Sequence, residues 1–359
     1  MKKIWIGHNR QKWRLDMKVV ILAADLHIGG GCKVLIDIAG ALTSKGHEVE
    51  IVIPQTATVK YNIPCKLTIV PKLDRAYIPY GDIVLTNFYT TFQPAFEAWP
   101  EQTVRLSLGF EPLWAPDRQA ALWTYCQGVP VITISNWMDQ LIYEHSGRRS
   151  TVVSLGVDPQ VFRPRGPKIA PLPDKSSSKV ILYIARDAND YALKGFSDFF
   201  GAMEIIKNEY QGDYVVYLIC PDGRMSLSQL DIPERIFHPK DEFEMAKLYR
   251  TADVFVASSW FEAFSLPPLE AMACGTPVVT TNSGGVMDFC AHMESAYVTA
   301  PKDARGLAQG ICAILSDPPL ANKLARGGSV SAARLTKALF ERNMVNALEE
   351  IVKKRHTAG

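Results

Sequence analysis

The stretch Lys18–Ile53, KVVILAADLHIGGGCKVLIDIAGALTSKGHEVEIVI, decides the fold. It opens on a β-branched run, Lys18–Ala24, that reads as a buried strand. The run breaks at Gly29-Gly30-Gly31, after which Val34, Leu35, Ile38, Ala39 and Leu42 recur at helical spacing. Gly46 closes that helix, and Val49–Ile53 is the next strand. Strand, glycine turn, helix and strand make a βαβ unit, and such units build parallel sheets with helices on their faces. Further apolar runs at Ile83–Leu85, Val104–Leu106 and Val131–Ile134 continue the pattern until it ends near Val161-Phe162.

Arg163–Lys179 then carries four prolines and three serines in seventeen residues. Proline removes amide donors and serine-rich segments seldom pack, so the stretch reads as an interdomain linker. A second α/β pattern follows at once, with strands at Val180–Ala185, Tyr214–Cys220, Asp253–Ala257 and Val278–Thr280. The helix Phe196–Tyr210 places Phe196, Phe199, Phe200, Met203 and Ile206 on one face. The last stretch, with Leu335, Leu339, Met344 and Leu348 apolar, reads as one long helix. The expected organisation is 1–165, 166–335 and a final helix over 336–359, with a cleft between two parallel-sheet domains.

Composition excludes several classes. The chain has 359 residues, 47% of them apolar, and a formal net charge of +2, which rules out a disordered polyelectrolyte. No basic excess exists to neutralise phosphates, so nucleic acid is not expected as a partner. No apolar run approaches the ~20 residues that a membrane span needs. The N-terminus carries Lys2, Lys3, Arg10, Lys12 and Arg14 without an apolar stretch. It is read as a frayed leader before an inner start at Met17, with peripheral contact to an anionic membrane face as the other reading. The seven cysteines are scattered and form no C-x-x-C, which suits buried thiols and a cytoplasmic address.

The chemistry concentrates in Ala252–Thr281, ADVFVASSWFEAFSLPPLEAMACGTPVVTT. A strand ends near Ser258, a loop carries Glu262, and a helix opens near Ser265, which suits an N-cap with Pro267 and Pro268 in the first turn. The amides of Phe264, Ser265 and Leu266 then lie at a helix N-terminus beside the carboxyl end of a strand, an anion-binding arrangement. Glu270 stands about a turn further in, so two carboxylates can flank one pocket. That combination suits a ligand with a diphosphate in the middle and hydroxyls at both ends, as in a nucleotide sugar; surface glutamates around an ordinary helix start remain the plainer reading. Gly29 and Gly30, with Gly31, open the first helix, where their amides either approach phosphates or serve only a tight turn. Gly284 and Gly285 follow a strand and are read as a close approach of backbone to the donor. Between Phe88 and Tyr125 there are nine aromatics in 38 residues, core material or an acceptor groove. Their surroundings distantly resemble cell-surface rhamnosyltransferases.

The E-x7-E motif Glu262–Glu270, followed by A-M-A-C-G-T-P-V-V and S-G-G, strongly resembles the family-4 retaining glycosyltransferases with the GT-B fold. The likeness extends to Leu248–Asp253, Gly156-Val157-Asp158, Lys194-Gly195, Gly29-Gly30 and Gly46–Val49. It implies two Rossmann-like parallel-sheet domains facing across a cleft, with the C-terminal helix packing back on the first. It implies that Glu262 contacts the donor sugar's hydroxyls, that Glu270 holds the ribose hydroxyls, and that Arg186 and Lys194 grip the diphosphate. Such cations strengthen their contacts as charge develops on the leaving group. The chain departs from the family pattern in the eight-position spacing of Arg186 and Lys194, in Ala263 where glycine is usual, and in Leu155 before Gly156. No histidine matches the one many members carry near the sugar; Glu111 in Leu106–Trp114 stands about there and is read as an acceptor-side residue or a surface glutamate.

No D-x-D, H-E-x-x-H, G-x-S-x-G or P-loop occurs, so neither a metal nor another cofactor is expected. The resulting expectation is transfer of a hexosyl or deoxyhexosyl group from a nucleotide diphosphate-sugar to a glycan or small-molecule acceptor, with retention, in polysaccharide or glycoconjugate biosynthesis. A non-catalytic nucleotide-sugar or glycan-binding scaffold and a nucleotide-sugar epimerase of the same plan stay open.

Overall fold

A computed structural model describes residues 16–169, 178–185, 192–220 and 225–358. The chain divides into two compact units, one of residues 1–106 with 344–359 and one of residues 107–343.

The first unit is the βαβ pattern built out. β1 (Lys18–Leu22) leads through the glycine turn to α1 (Gly30–Ser44) and then to β2 (Glu48–Pro54). β3 (Lys66–Val70), β4 (Ile83–Thr86), α2 (Tyr89–Ala98) and β5 (Thr103–Ser107) follow. The strands run parallel in the order β3-β2-β1-β4-β5, with Val20 opposite Glu50 on one side and Val84 on the other. β1 is central and nearly all buried, which is why it reads as an uninterrupted apolar run. Val20, Leu22, Val52, Val70, Ile78, Val84 and Ala95 close the core on one face. α1 buries Val34, Leu35, Ile38, Ala39 and Leu42, the residues whose spacing predicted it.

The second unit opens with α3 (Arg118–Trp123), β6 (Val131–Thr133), α4 (Asn136–Ser146) and β7 (Thr151–Val152). β8 (Lys179–Ile184), α5 (Phe196–Glu209), β9 (Tyr214–Ile219), β10 (Glu234–Phe237) and α6 (Glu242–Thr251) come next. β11 (Val254–Ala257), α7 (Leu266–Ala273), β12 (Val278–Thr281), β13 (Tyr297–Thr299), α8 (Ala304–Ser316) and α9 (Pro318–Ala333) complete it. β6 pairs with β7, and six parallel strands form a sheet in the order β10-β9-β8-β11-β12-β13. The fold class is therefore α/β with parallel sheets, as expected. α10 (Lys337–Ala358) is the long final helix, and its residues from Met344 onward belong to the first unit. There Arg355 donates to the Asp82 carbonyl at 2.8 Å and Glu349 stands 3.4 Å from the buried ring of His47. Burial pulls the Arg355 guanidinium below its ordinary range.

Four strands escape the sequence reading: β3, β7, β10 and β13. Each stands at the end of a sheet. β3 and β10 are only partly buried and mix charge with apolar residues, so neither shows a continuous apolar run. The proline-rich stretch also behaves differently from a solvated linker where it is described. Buried Arg250 donates to the carbonyls of Val161, Arg163 and Pro167, and the Ile169 amide donates to Thr251. Cys126 is exposed, against the expectation of buried thiols, whereas Cys32, Cys220, Cys274 and Cys290 are buried. The basic N-terminal residues lie outside the described residues. No described helix is long and apolar enough to cross a membrane.

Candidate functional site

β11 lies between β8 and β12, buried from Val254 to Val256, and releases the chain at Ser258 into the loop that carries Glu262. The Ser258 hydroxyl donates to the Gly195 carbonyl at 2.7 Å and lies 2.8 Å from the Tyr183 hydroxyl. Burial pushes the Tyr183 phenol up, so it stays a neutral donor, and its ring stacks on Phe199 at 3.9 Å. Gly195 has φ +65°, and a Cβ there would sit 2.0 Å from the Ser258 carbonyl oxygen. Glycine is thus required beside Lys194 by close approach of two backbones. The Lys194-Gly195 pair is thereby seated against the start of the loop, and the Trp260 amide donates to Leu193 at 2.7 Å.

That seating brings two site candidates together. Lys194 Nζ donates to Glu262 Oε1 at 2.9 Å, and the Ser259 hydroxyl donates to the same oxygen at 2.8 Å. The Glu262 side chain keeps 19% of its surface exposed and Lys194 keeps 40%, so the pair is open to solvent and to a ligand. The backbone of Glu262 is tied on both sides: its amide donates to Ser283 and its carbonyl accepts from Gly285. Gly284 has φ +107°, and the place of its Cβ is filled by the Trp137 ring at 2.8 Å. A Cβ on Gly285 would lie 2.0 Å from the Ala263 carbonyl oxygen. Both glycines are required by the chain's own packing, before any ligand is considered.

Ser265 takes the N-cap place of α7, but not by the expected chemistry. Its φ is +75° and its hydroxyl makes no capping bond. A left-handed serine is strained, and such strain persists only where surrounding contacts over-determine it. Ala263 is not among the positive-φ residues, which explains how alanine serves where the resembling family has glycine; the unusual backbone falls two residues later. Phe264 is buried against Phe289, anchoring the loop. Leu266 begins α7, and because Pro267 and Pro268 have no N–H, the donors at this helix end are the amides before them.

Glu270 is held from another direction. The Tyr249 hydroxyl on α6 donates to Glu270 Oε2 at 2.8 Å, while the Tyr249 ring is buried edge-on to Phe255. Arg186 lies outside the described residues. In the first unit Gly29 is extended and its amide donates to the Tyr61 hydroxyl at 3.0 Å. Gly30 has open space where a Cβ would stand. Glu111 is buried, not a surface glutamate, and accepts from the Tyr125 hydroxyl at 2.9 Å. Among the described residues no group of three or more His, Cys, Asp or Glu is arranged to hold a metal ion. Sequence reasoning missed Ser259 and Tyr249 as partners of the two motif glutamates. Both lie in motif stretches already singled out, but nothing local says which side chain they meet.

Residues 167–329, which hold Lys194, Glu262, Glu270 and both following glycines, match the family described as Glycosyl transferases group 1. This segment belongs to the group 1 glycosyl transferases. The chain is 30% identical over 233 residues to D-inositol 3-phosphate glycosyltransferase of Thermobispora bispora, covering 58% of this chain and 53% of that protein. It is 29% identical over 217 residues to glycogen synthase of Mycobacterium tuberculosis, covering 57% and 50%. The chain thus spans about half the length of the curated relatives it matches. Among solved structures it resembles sucrose-phosphate synthase of Thermosynechococcus elongatus, with TM-score 0.76, 18% identity and 94% and 99% of the two chains covered. It also resembles Anabaena Alr3699/HepE in complex with UDP-glucose, with TM-score 0.73, 17% identity and 93% and 100% covered. The group 1 segment therefore sits within a GT-B fold, two Rossmann-like units with parallel sheets.

Proposed function

We propose that the protein is a retaining glycosyltransferase that moves a hexosyl or deoxyhexosyl group from a nucleoside diphosphate-sugar to an acceptor hydroxyl without a metal. The observation that carries this reading is the Lys194–Glu262 pair, fixed at the carboxyl end of β11 and at the mouth of α7 inside a group 1 domain. Glu262 addresses the hydroxyls of the donor sugar, and Glu270, oriented by Tyr249, the hydroxyls of the ribose. The Lys194 ammonium, with Arg186, receives the diphosphate, the charge that a metal bridged by D-x-D carboxylates would otherwise balance. Backbone amides before Pro267 add fixed dipoles at the same end.

In the reaction the bond from the anomeric carbon to the diphosphate breaks, and its electron pair goes to the phosphate oxygen. The acceptor oxygen bonds to the same carbon from the same face, and its proton passes to the departing oxygen. Charge-assisted contacts from Lys194 grow stronger as that oxygen gains charge, so they favour the transition state over the bound donor.

The bound UDP-glucose of the Anabaena structure makes UDP the first nucleotide to test. A thermal-shift screen with UDP, GDP, dTDP and ADP is expected to raise the melting temperature for one of them, since a ligand of the folded state stabilises it by mass action. Transfer from the matching sugar nucleotide should then give a product whose anomeric configuration, read by NMR, equals the donor's. No shift with any nucleotide and no donor consumption would remove the reading; an inverted centre would remove retention alone.

A further inference from the structure

The loop carrying Glu262 is gripped by the start of a helix far away in sequence. Ser135, fully buried at the N-cap of α4, donates its hydroxyl to the Ala263 carbonyl at 2.6 Å across a separation of 128 residues. The Asp288 carboxylate accepts from the Asn136 amide at 2.6 Å, from the Asn136 side chain at 3.1 Å and from the Trp137 amide at 3.4 Å. A carboxylate there complements the positive end of the helix dipole, so the N-terminus of α4 is already satisfied from within the chain. Trp137 fills the space over Gly284 and meets Phe261 edge-on at 5.0 Å between centroids.

These contacts close around one residue. Phe261 and Ala263 flank Glu262 in the chain, while Gly284 stands opposite it in the parallel bridge and Gly285 donates to its carbonyl. Each of these four neighbours is held by α4 directly, or by the turn Gly285–Asp288 whose last residue α4 grips. Residues 135–137 lie outside the segment that matches the family model. We infer that Ser135, Trp137 and Asp288 are positioning residues for Glu262: they fix the backbone from which its carboxylate reaches the donor. The inference rests on the proposed transferase reading for its functional consequence and on geometry alone for its structural one. A carboxylate that must meet a sugar hydroxyl in the transition state tolerates little drift, and a misplacement of about 1 Å costs up to about a hundredfold in rate.

The test uses the full chain, with Asp288→Ala, Asp288→Asn, Ser135→Ala and Glu262→Ala, and has two independent readouts. Hydrogen exchange of peptides spanning residues 259–266 should speed up by about tenfold in Asp288→Ala and Ser135→Ala, as expected of a loop released locally. With UDP-glucose as the donor probe, kcat should fall by about tenfold while the Kd for UDP, which lacks the sugar, stays within about twofold. Asp288→Asn keeps an acceptor and should recover most of the rate. In the Glu262→Ala background, adding Asp288→Ala should cost no more than about twofold, because the group it positions is gone. Unchanged exchange in the single variants, or a full additive loss in the double variant, overturns the inference. Should Asp288→Ala fail to fold, Ser135→Ala decides the same comparisons. A wild-type chain that shows no thermal shift with UDP, GDP, dTDP or ADP and consumes none of their glucose conjugates defeats the transferase reading, and the exchange rates still decide the positioning claim.

Discussion

The turn from β1 to α1 and the loop from β11 to α7 are the same element in two units. Each leaves the carboxyl end of a central parallel strand, and each starts a helix without a side-chain cap. They are built in opposite ways. The first is three consecutive glycines, with Gly29 extended, its Cβ position meeting only the end of the His27 ring at 3.3 Å, and nothing near the Cβ position of Gly30; Gly29 is tied to the Tyr61 hydroxyl and Leu26 to the backbone of Thr58 and Lys60. The second carries no glycine of its own and borrows Gly195, Gly284 and Gly285 from distant segments, each pressed against backbone or a ring. Glycine in the first region leaves room, whereas in the second it is demanded by neighbours. An unforced glycine turn keeps space for something outside the chain; a jammed loop holds a side chain still.

The largest effect should come from the held side chain itself. Glu262→Ala is expected to lower turnover by about a hundredfold or more at unchanged melting temperature, as losses of preorganised transition-state contacts do. Near-normal turnover would end the contrast, because the rigid loop would then serve nothing. Next is a matched pair of substitutions. Gly285→Ala drives a Cβ into the Ala263 carbonyl and should cost about 1–3 kcal/mol in calorimetry. Gly30→Ala meets open space at a helix start and should be neutral or slightly stabilising. If Gly30→Ala lowers turnover without lowering stability, a ligand occupies the space that the chain leaves; if both variants destabilise alike, the two regions are not different in kind.

A smaller effect is expected at the second glutamate. Glu270→Ala should weaken nucleotide binding measured by titration calorimetry, and Tyr249→Phe should weaken it by about three- to tenfold through one lost hydrogen bond. The smallest concerns the first unit's own polar wiring. Glu50, opposite Val20 on β2, is buried; burial opposes its charge, but hydrogen bonds from Thr68 and Lys66 and the charges of Lys66 and Lys18 hold its carboxyl below the usual range. A lowered folded value means that its contribution is complete above the ordinary carboxylate range and lost as pH falls through the folded value. Glu50→Gln should therefore cost about 1 kcal/mol at neutral pH, and the difference from wild type should vanish in acid. A constant difference across the titration would show that the charge is not what stabilises this strand.

Central strands were legible because burial on both faces selects continuous apolar runs, as in Lys18–Leu22 and Val254–Ala257. End strands such as Glu234–Phe237 were not, since exposure removes that signal. The two motif glutamates and Lys194 were legible from spacing and resemblance. Their partners were not: Tyr249 meets Glu270 across 21 residues, and Ser259 meets Glu262 three residues on but within a loop, where no helical or strand period says which side chains face each other. Ser265 shows the converse. A serine before two prolines looks like a side-chain cap, and tertiary packing turned its backbone left-handed instead.

By itself the sequence determined the parallel α/β class, the helices α1, α5, α7 and α10, the central strands, and the residue types at the carboxyl end of β11, because these depend on burial and on neighbours three or four residues away. Only the tertiary structure decided which groups meet: Lys194 with Glu262, Tyr249 with Glu270, and the start of α4 with the loop between Phe261 and Ser265. Such contacts join segments up to 152 residues apart, and geometry at that range comes from how sheets and helices pack, which no short window of sequence encodes.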